Sequence, residues 1–196
     1  FQFAFSNFKA AVQDMYKNHS VLATSSKLEN EDRELFSKLS KAKGTEFETV
    51  NSLKTLILFL YLHYNKPVIV LIDEYDVPLA KSTGTDFYDR LLFDIRSFMA
   101  PLKDNSYLKF AVITGCLRIS KESIFTGTNN FYVDSLAASS FNEYFGFTDG
   151  EVQKLLENAG ALTQYQNVKD WYDGYNSNGI ELYCPWDVIH YVQDFL

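Results

Sequence analysis

Val68-Ile69-Val70-Leu71-Ile72-Asp73-Glu74 is the stretch on which the fold turns. Five β-branched or aliphatic residues run without a polar break from Pro67 to Asp73, the pattern of a short strand covered on both faces of a sheet. Two acids then emerge together where the strand leaves the sheet. Downstream, Phe87, Leu91, Ile95, Phe98 and Leu102 recur at helical spacing, and Leu108 to Thr114 forms a second apolar strand closed by Gly115. A helix between two strands makes a right-handed crossover and a parallel pair. The carboxyl ends of both strands therefore open on one edge of the sheet, where Asp73 and Thr114 are expected side by side.

Outward from this centre the chain is mostly helical in pattern. Phe5, Phe8, Val12, Met15 and Tyr16 mark an amphipathic helix with Ser6 as its N-cap. Residues Lys27 to Gly44 suit a partly exposed helix closed by Gly44, and Glu46 to Asn65 reads as one long helix that must stop before Pro67. Thr148-Asp149-Gly150-Glu151 has capping-box spacing, and Pro185 fits the first turn of a last helix through Leu196. Trp171 to Tyr175 and Tyr183 to Trp186 are expected as aromatic-rich turns that serve packing. A change of texture near Phe141 divides an α/β core over 1–140 from a mostly helical part over 141–196.

Composition bounds the function. With 196 residues, 46% of them hydrophobic and 16% aromatic, the chain buries a core without disulfides, which excludes disordered and collagen-like architectures. Eighteen basic residues against 25 acidic ones leave a net charge of −7, which excludes general nucleic-acid binding by this segment. Cys116 and Cys184 form no zinc-binding spacing with His19, His63 or His190. The longest strongly apolar run, Ile57 to Leu62, falls far short of the roughly 20 residues a membrane helix needs. Phe1 in place of an initiating Met suggests a fragment, and with no signal peptide in view a cytoplasmic location is expected.

Asp73 and Glu74 carry the strongest chemical signal. In a P-loop NTPase, a first acid at the end of a buried strand holds magnesium through water, and the second orients or deprotonates the attacking water. Acids at a strand end are also ordinary solvated residues, and Asp73, Glu74 and Asp76 together form a third option, a magnesium site without a phosphate loop. No nucleophile or Lys completes that third site. The phosphate loop G-x-x-x-x-G-K-[ST] does not occur in the chain; Gly115 to Glu122 comes nearest but has Ser120 for the second Gly and an acid where the hydroxyl belongs. Beside Asp73, the Thr114 hydroxyl is suited to position water. Arg118 is suited either to stabilise charge on a transferred phosphate or to make an ordinary surface ion pair.

Taken in order, L-I-D-E-Y-D-V-P-L (Leu71 to Leu79), L-K-F-A-V-I-T-G-C-L-R-I-S-K-E-S-I-F-T-G (Leu108 to Gly127), E-Y-F-G-F-T (Glu143 to Thr148) and W-Y-D-G-Y (Trp171 to Tyr175) resemble the bacterial AAA-ATPase-like family over roughly residues 20 to 196. The resemblance implies a three-layer P-loop NTPase-like fold with a parallel sheet core and a helical, lid-like C-terminal part. It implies ATP and Mg2+ as cofactors, Asp73 and Glu74 as the Walker B acids, Thr114 as a sensor, and a Walker A loop upstream of these residues. Such proteins are often fused to a PD-(D/E)XK nuclease, whose Asp-x-Lys or Glu-x-Lys motif is absent from these 196 residues, so a nuclease in the same parent chain would begin after Leu196. The alternative is an interaction module that keeps the fold without turnover.

Overall fold

The structure, a computed structural model, describes residues 2–116, 131–135 and 140–194. Contacts along the chain divide it into two compact units, Phe1–Asn130 and Phe131–Leu196. Among the described residues no helix is long and apolar enough to cross a membrane.

The first unit opens with α1, Gln2–Lys17, which buries Val12 and Tyr16. Gln2-Phe3-Ala4 contains no helix breaker, so the helix starts ahead of Ser6, which lies within it instead of capping it. α2, Asn30–Leu39, buries Phe36 and Leu39. It ends before Gly44, and Ala42, at φ 54°, takes the left-handed turn beyond it. The expected long helix is two: α3, Glu46–Val50, and α4, Ser52–Tyr64. They part at Asn51, whose backbone leaves the helical region at φ −91° and ψ 5° and whose side-chain amide donates to the Phe47 carbonyl at 2.9 Å. Thr45 and Glu48 start α3 with a reciprocal capping box.

β1, Val68–Ile72, is followed by α5, Val77–Ser82, then α6, Tyr88–Met99, and then β2, Leu108–Ile113. The two strands pair in parallel with Ile72 opposite Ile113, as the crossover requires. A register shift skips Lys109 between the Val68/Leu108 and Ile69/Phe110 pairs. That extra residue lets both Leu108 and Ala111 face the helices, which strict alternation would forbid. Leu53 and Ile57 of α4 and Phe98 of α6 pack on this face around Val70. Leu79, Leu91, Ile95 and Met99 enclose Ile72 and Ile113, anchoring the two strand ends.

The opposite face of the pair is open. Ile69 and Leu71 are 46% and 73% exposed, and Phe110 and Val112 are each 47% exposed. Where the sequence pattern leads to an expectation of cover on both faces, one helical layer lies against the pair among the described residues. A continuous apolar run shows what a strand tolerates on its two faces, and distant elements decide what lies against them.

In the second unit, β3, Phe147–Thr148, leads into α7, Asp149–Asn158, through a Thr148/Glu151 capping box. α8, Tyr165–Tyr172, runs directly into β4, Asp173–Ser177, then β5, Ile180–Tyr183, and α9, Pro185–Gln193. The strands form an antiparallel sheet in the order β3-β5-β4, so this unit holds a sheet as well as helices. The segments expected as turns, Trp171 to Tyr175 and Tyr183 to Trp186, lie instead largely within helices and strands. The true turn is Asn178-Gly179, at φ 51° and 91°, the two positive angles a tight two-residue hairpin demands. The packing role expected of the aromatics holds for Tyr183, which is fully buried with Val152, Leu156, Val168 and Val188. It fails for Trp171 and Trp186, which are exposed because their helices turn Val168 and Val188 inward instead.

Candidate functional site

The backbone ladder of the parallel strands continues one step past their formal ends. The Thr114 amide donates to the Ile72 carbonyl at 2.8 Å, and the Tyr75 amide donates to the Thr114 carbonyl at 3.1 Å. This brings the exits of β1 and β2 together, and the Thr114 hydroxyl donates a hydrogen bond to Asp73 Oδ1. The juxtaposition expected from the strand order is therefore present. Both partners are exposed residues.

Glu74 is also exposed and sits at φ 52°. For a residue with a Cβ the left-handed region costs roughly 1–2 kcal/mol. The turn out of the sheet imposes it: the Val77 amide donates to the Glu74 carbonyl at 3.1 Å, and α5 begins with the Ala80 amide donating to the Asp76 carbonyl at 2.8 Å. The chain must reverse within three residues to start that helix, and Glu74 absorbs the bend.

The third acid behaves differently. Asp76 is 2% exposed, and its Oδ1 accepts from the Cys116 amide at 3.3 Å. Gly115 makes this approach feasible. A Cβ there would lie 2.5 Å from Asp76 Oδ1 and 2.6 Å from the Tyr75 ring. Sequence patterning treats Gly115 only as a strand terminator and groups Asp76 with its neighbours, because burial of one acid among three leaves no mark on local periodicity. Arg118, with the rest of the Leu117–Gly127 part of its motif and the Gly115–Glu122 segment beyond Cys116, lies outside the described residues.

Among the described residues, no group of three or more His, Cys, Asp or Glu side chains converges to hold a metal ion. Mg2+ usually keeps waters and uses one or two carboxylates together with substrate phosphates. The exposed Asp73 carboxylate and the Thr114 hydroxyl are hard oxygen donors of that kind.

The sequence model of a family described as Predicted AAA-ATPase matches residues 1–125, which include the whole edge formed by Asp73, Glu74, Asp76 and Thr114. A curated relative, an uncharacterized protein in the vnfD 5′ region of Azotobacter chroococcum mcd 1, is 30% identical over 125 residues, covering 62% of this chain and 24% of the relative. The chain thus spans about a quarter of that relative's length. No solved structure matches the chain.

Proposed function

The chain belongs to the AAA-ATPase-like family, and from that premise we propose that it carries the metal-holding and water-activating edge of a magnesium-dependent, ATP-binding and ATP-hydrolysing domain. The supporting observation is the hydrogen bond from Thr114 to Asp73, which sets a hydroxyl and a carboxylate together at the ends of two parallel strands, with Glu74 exposed beside them. Open α/β sheets bind their ligands outside the carboxyl ends of their strands.

On this proposal Asp73 holds the magnesium site through water, and Thr114 fixes the orientation of that carboxylate. Glu74 orients the attacking water and takes its proton. Arg118 is assigned to charge developing on the transferred phosphate. Magnesium, when bound, supplies neutralisation of phosphate charge. The left-handed backbone of Glu74 is in keeping with this role, since strained residues of this kind cluster at active sites.

The 196 residues contain no G-x-x-x-x-G-K-[ST] element, so the loop that cradles the triphosphate is assigned to sequence outside them. The open apolar face of Ile69, Leu71, Phe110 and Val112 supports the three-layer arrangement that belongs to the proposal. A parallel sheet is ordinarily covered on both sides, and a second layer of helices would cover this one.

The test is made in a longer protein that joins a phosphate loop to this segment. Glu74→Gln is expected to retain Mg·ATP binding by calorimetry while steady-state turnover falls about 10²- to 10⁴-fold, the usual contribution of a general base. Unchanged turnover removes Glu74 from the role. The 196-residue chain by itself is expected to bind Mg·ATP weakly or undetectably, and tight binding would overturn the assignment of the phosphate loop elsewhere.

A further inference from the structure

We propose that Asp76 is the positioning residue of this strand edge: its buried carboxylate holds the Gly115–Cys116 backbone and so sets the Thr114 hydroxyl against Asp73. The three acids of Asp73-Glu74-Tyr75-Asp76 divide by burial, two outward and one inward. At 2% exposure Asp76 does not present its carboxylate to a ligand arriving from solvent, which separates it from Asp73 and Glu74 as a direct magnesium or phosphate contact. A carboxylate is costly to bury unless hydrogen bonds satisfy it. Here one of those bonds comes from the main chain of the neighbouring strand exit, the Cys116 amide at 3.3 Å.

Thr114 is consequently gripped twice. On its own residue, the ladder bonds to Ile72 and Tyr75 fix its amide and carbonyl. Two residues later, Asp76 fixes the Cys116 amide. Gly115, between the two grips, has no room for a side chain against Asp76 Oδ1 and the Tyr75 ring, so the main chain passes directly over the carboxylate. With Thr114 itself and the main chain just beyond it held, little freedom is left to the backbone that carries the Thr114 hydroxyl. The last acid of the motif therefore acts on the second strand, and through it on the first.

The kinetic consequence rests on the ATPase proposal; the geometric consequence does not. The geometric arm follows amide hydrogen exchange by NMR in the 196-residue chain. Asp76→Ala is expected to speed exchange of the Cys116 amide about tenfold, the effect of losing one hydrogen bond, while the Val70 amide in β1 keeps its protection. Asp76→Asn keeps an oxygen acceptor without the charge and is expected to speed it only about threefold, because neutral bonds are roughly half as strong. Unchanged Cys116 exchange in Asp76→Ala overturns the proposal. Should Asp76→Ala also lose the Val70 protection, Asp76→Asn decides, and unchanged Cys116 exchange there overturns it.

The kinetic arm uses the longer protein with its phosphate loop. Asp76→Ala is expected to lower kcat for Mg·ATP about tenfold with KM within about threefold, and Asp76→Asn to recover most of the loss. A raised KM at unchanged kcat overturns the positioning role. If the unsubstituted longer protein hydrolyses no ATP, the ATPase proposal fails, and the exchange arm still decides about Asp76.

Discussion

Thr114 donates its hydroxyl hydrogen to Asp73 Oδ1 although the two lie 41 positions apart in the chain. The pairing of Ile72 with Ile113 places the next residue of each strand at the same edge, and the ladder bond from the Thr114 amide to the Ile72 carbonyl fixes their relative height. Glu74 lies one residue beyond it on the first strand, and Gly115 one residue beyond it on the second.

Thr114→Val removes the hydroxyl while keeping the branched shape. Because the pair is exposed, urea unfolding is expected to show a loss of no more than about 1 kcal/mol, the typical net worth of one hydrogen bond. Phosphate release by the longer protein is expected to fall about tenfold or more, with Thr114→Ser retaining most of it. Equal turnover in the Val and Ser variants would leave the hydroxyl without a part in the reaction.

Glu74 offers a separation of stability from activity. A Gly accepts φ 52° freely, whereas Ala retains the left-handed penalty. Glu74→Gly is expected to be more stable than Glu74→Ala by about 1 kcal/mol, the left-handed penalty less the entropic cost of Gly. Both variants are expected to lose turnover alike. Equilibrium denaturation of the pair checks the first statement, and a reversed order of stability would show that the bend at Glu74 is relieved in solution.

Gly115→Ala places a methyl where Asp76 Oδ1 and the Tyr75 ring already stand. Asp76 is buried and both neighbours belong to the packed turn into α5, so the strain is expected to cost about 1–3 kcal/mol in chemical denaturation, as for other overpacked sites. A loss under a few tenths would mean that the Tyr75 ring swings away without resistance.

Acid pH is expected to weaken the second unit through Asp149. Its carboxylate accepts hydrogen bonds from the Tyr165 hydroxyl, the Tyr183 hydroxyl at 2.8 Å and Gln153 Nε2 at 2.7 Å. The Tyr165 bond is the main cause that holds its pKa below the ordinary carboxylate value, with partial burial opposing. Folding therefore favours the ionised form. Its stabilising contribution is complete above the unfolded carboxyl value of about 4 and disappears as pH falls through the lower folded value. Thermal unfolding followed from neutral to acid pH is expected to decline more steeply below about pH 4 in the unsubstituted chain than in Asp149→Asn. Parallel declines would remove Asp149 as a source of the acid sensitivity.

Particular residues show how much of this was legible beforehand. The limits of β1 and the capping box at Thr148 and Glu151 match their sequence signals, because both depend on neighbours within a few positions. The hairpin at Asn178-Gly179 carried a readable signal, an Asn-Gly pair flanked by strand residues, that the aromatic texture around it obscured. The break at Asn51 was written more faintly, since one Asn within an apolar helical pattern is usually tolerated. Nothing local separates Asp76 from Asp73 and Glu74.

By itself, then, the order of residues determined an apolar strand, a crossover helix, a second strand parallel to the first and a shared edge holding Asp73, Glu74 and Thr114. Those features follow from hydrophobic periodicity and from the handedness of a crossover, which act along contiguous chain. Only the tertiary structure decided that Asp76 turns inward onto Cys116, that Glu74 takes the left-handed bend, and that one face of the sheet stays open. Burial and hydrogen-bond partnership depend on which distant segment arrives at a given point in space, and no window of neighbouring residues contains that information.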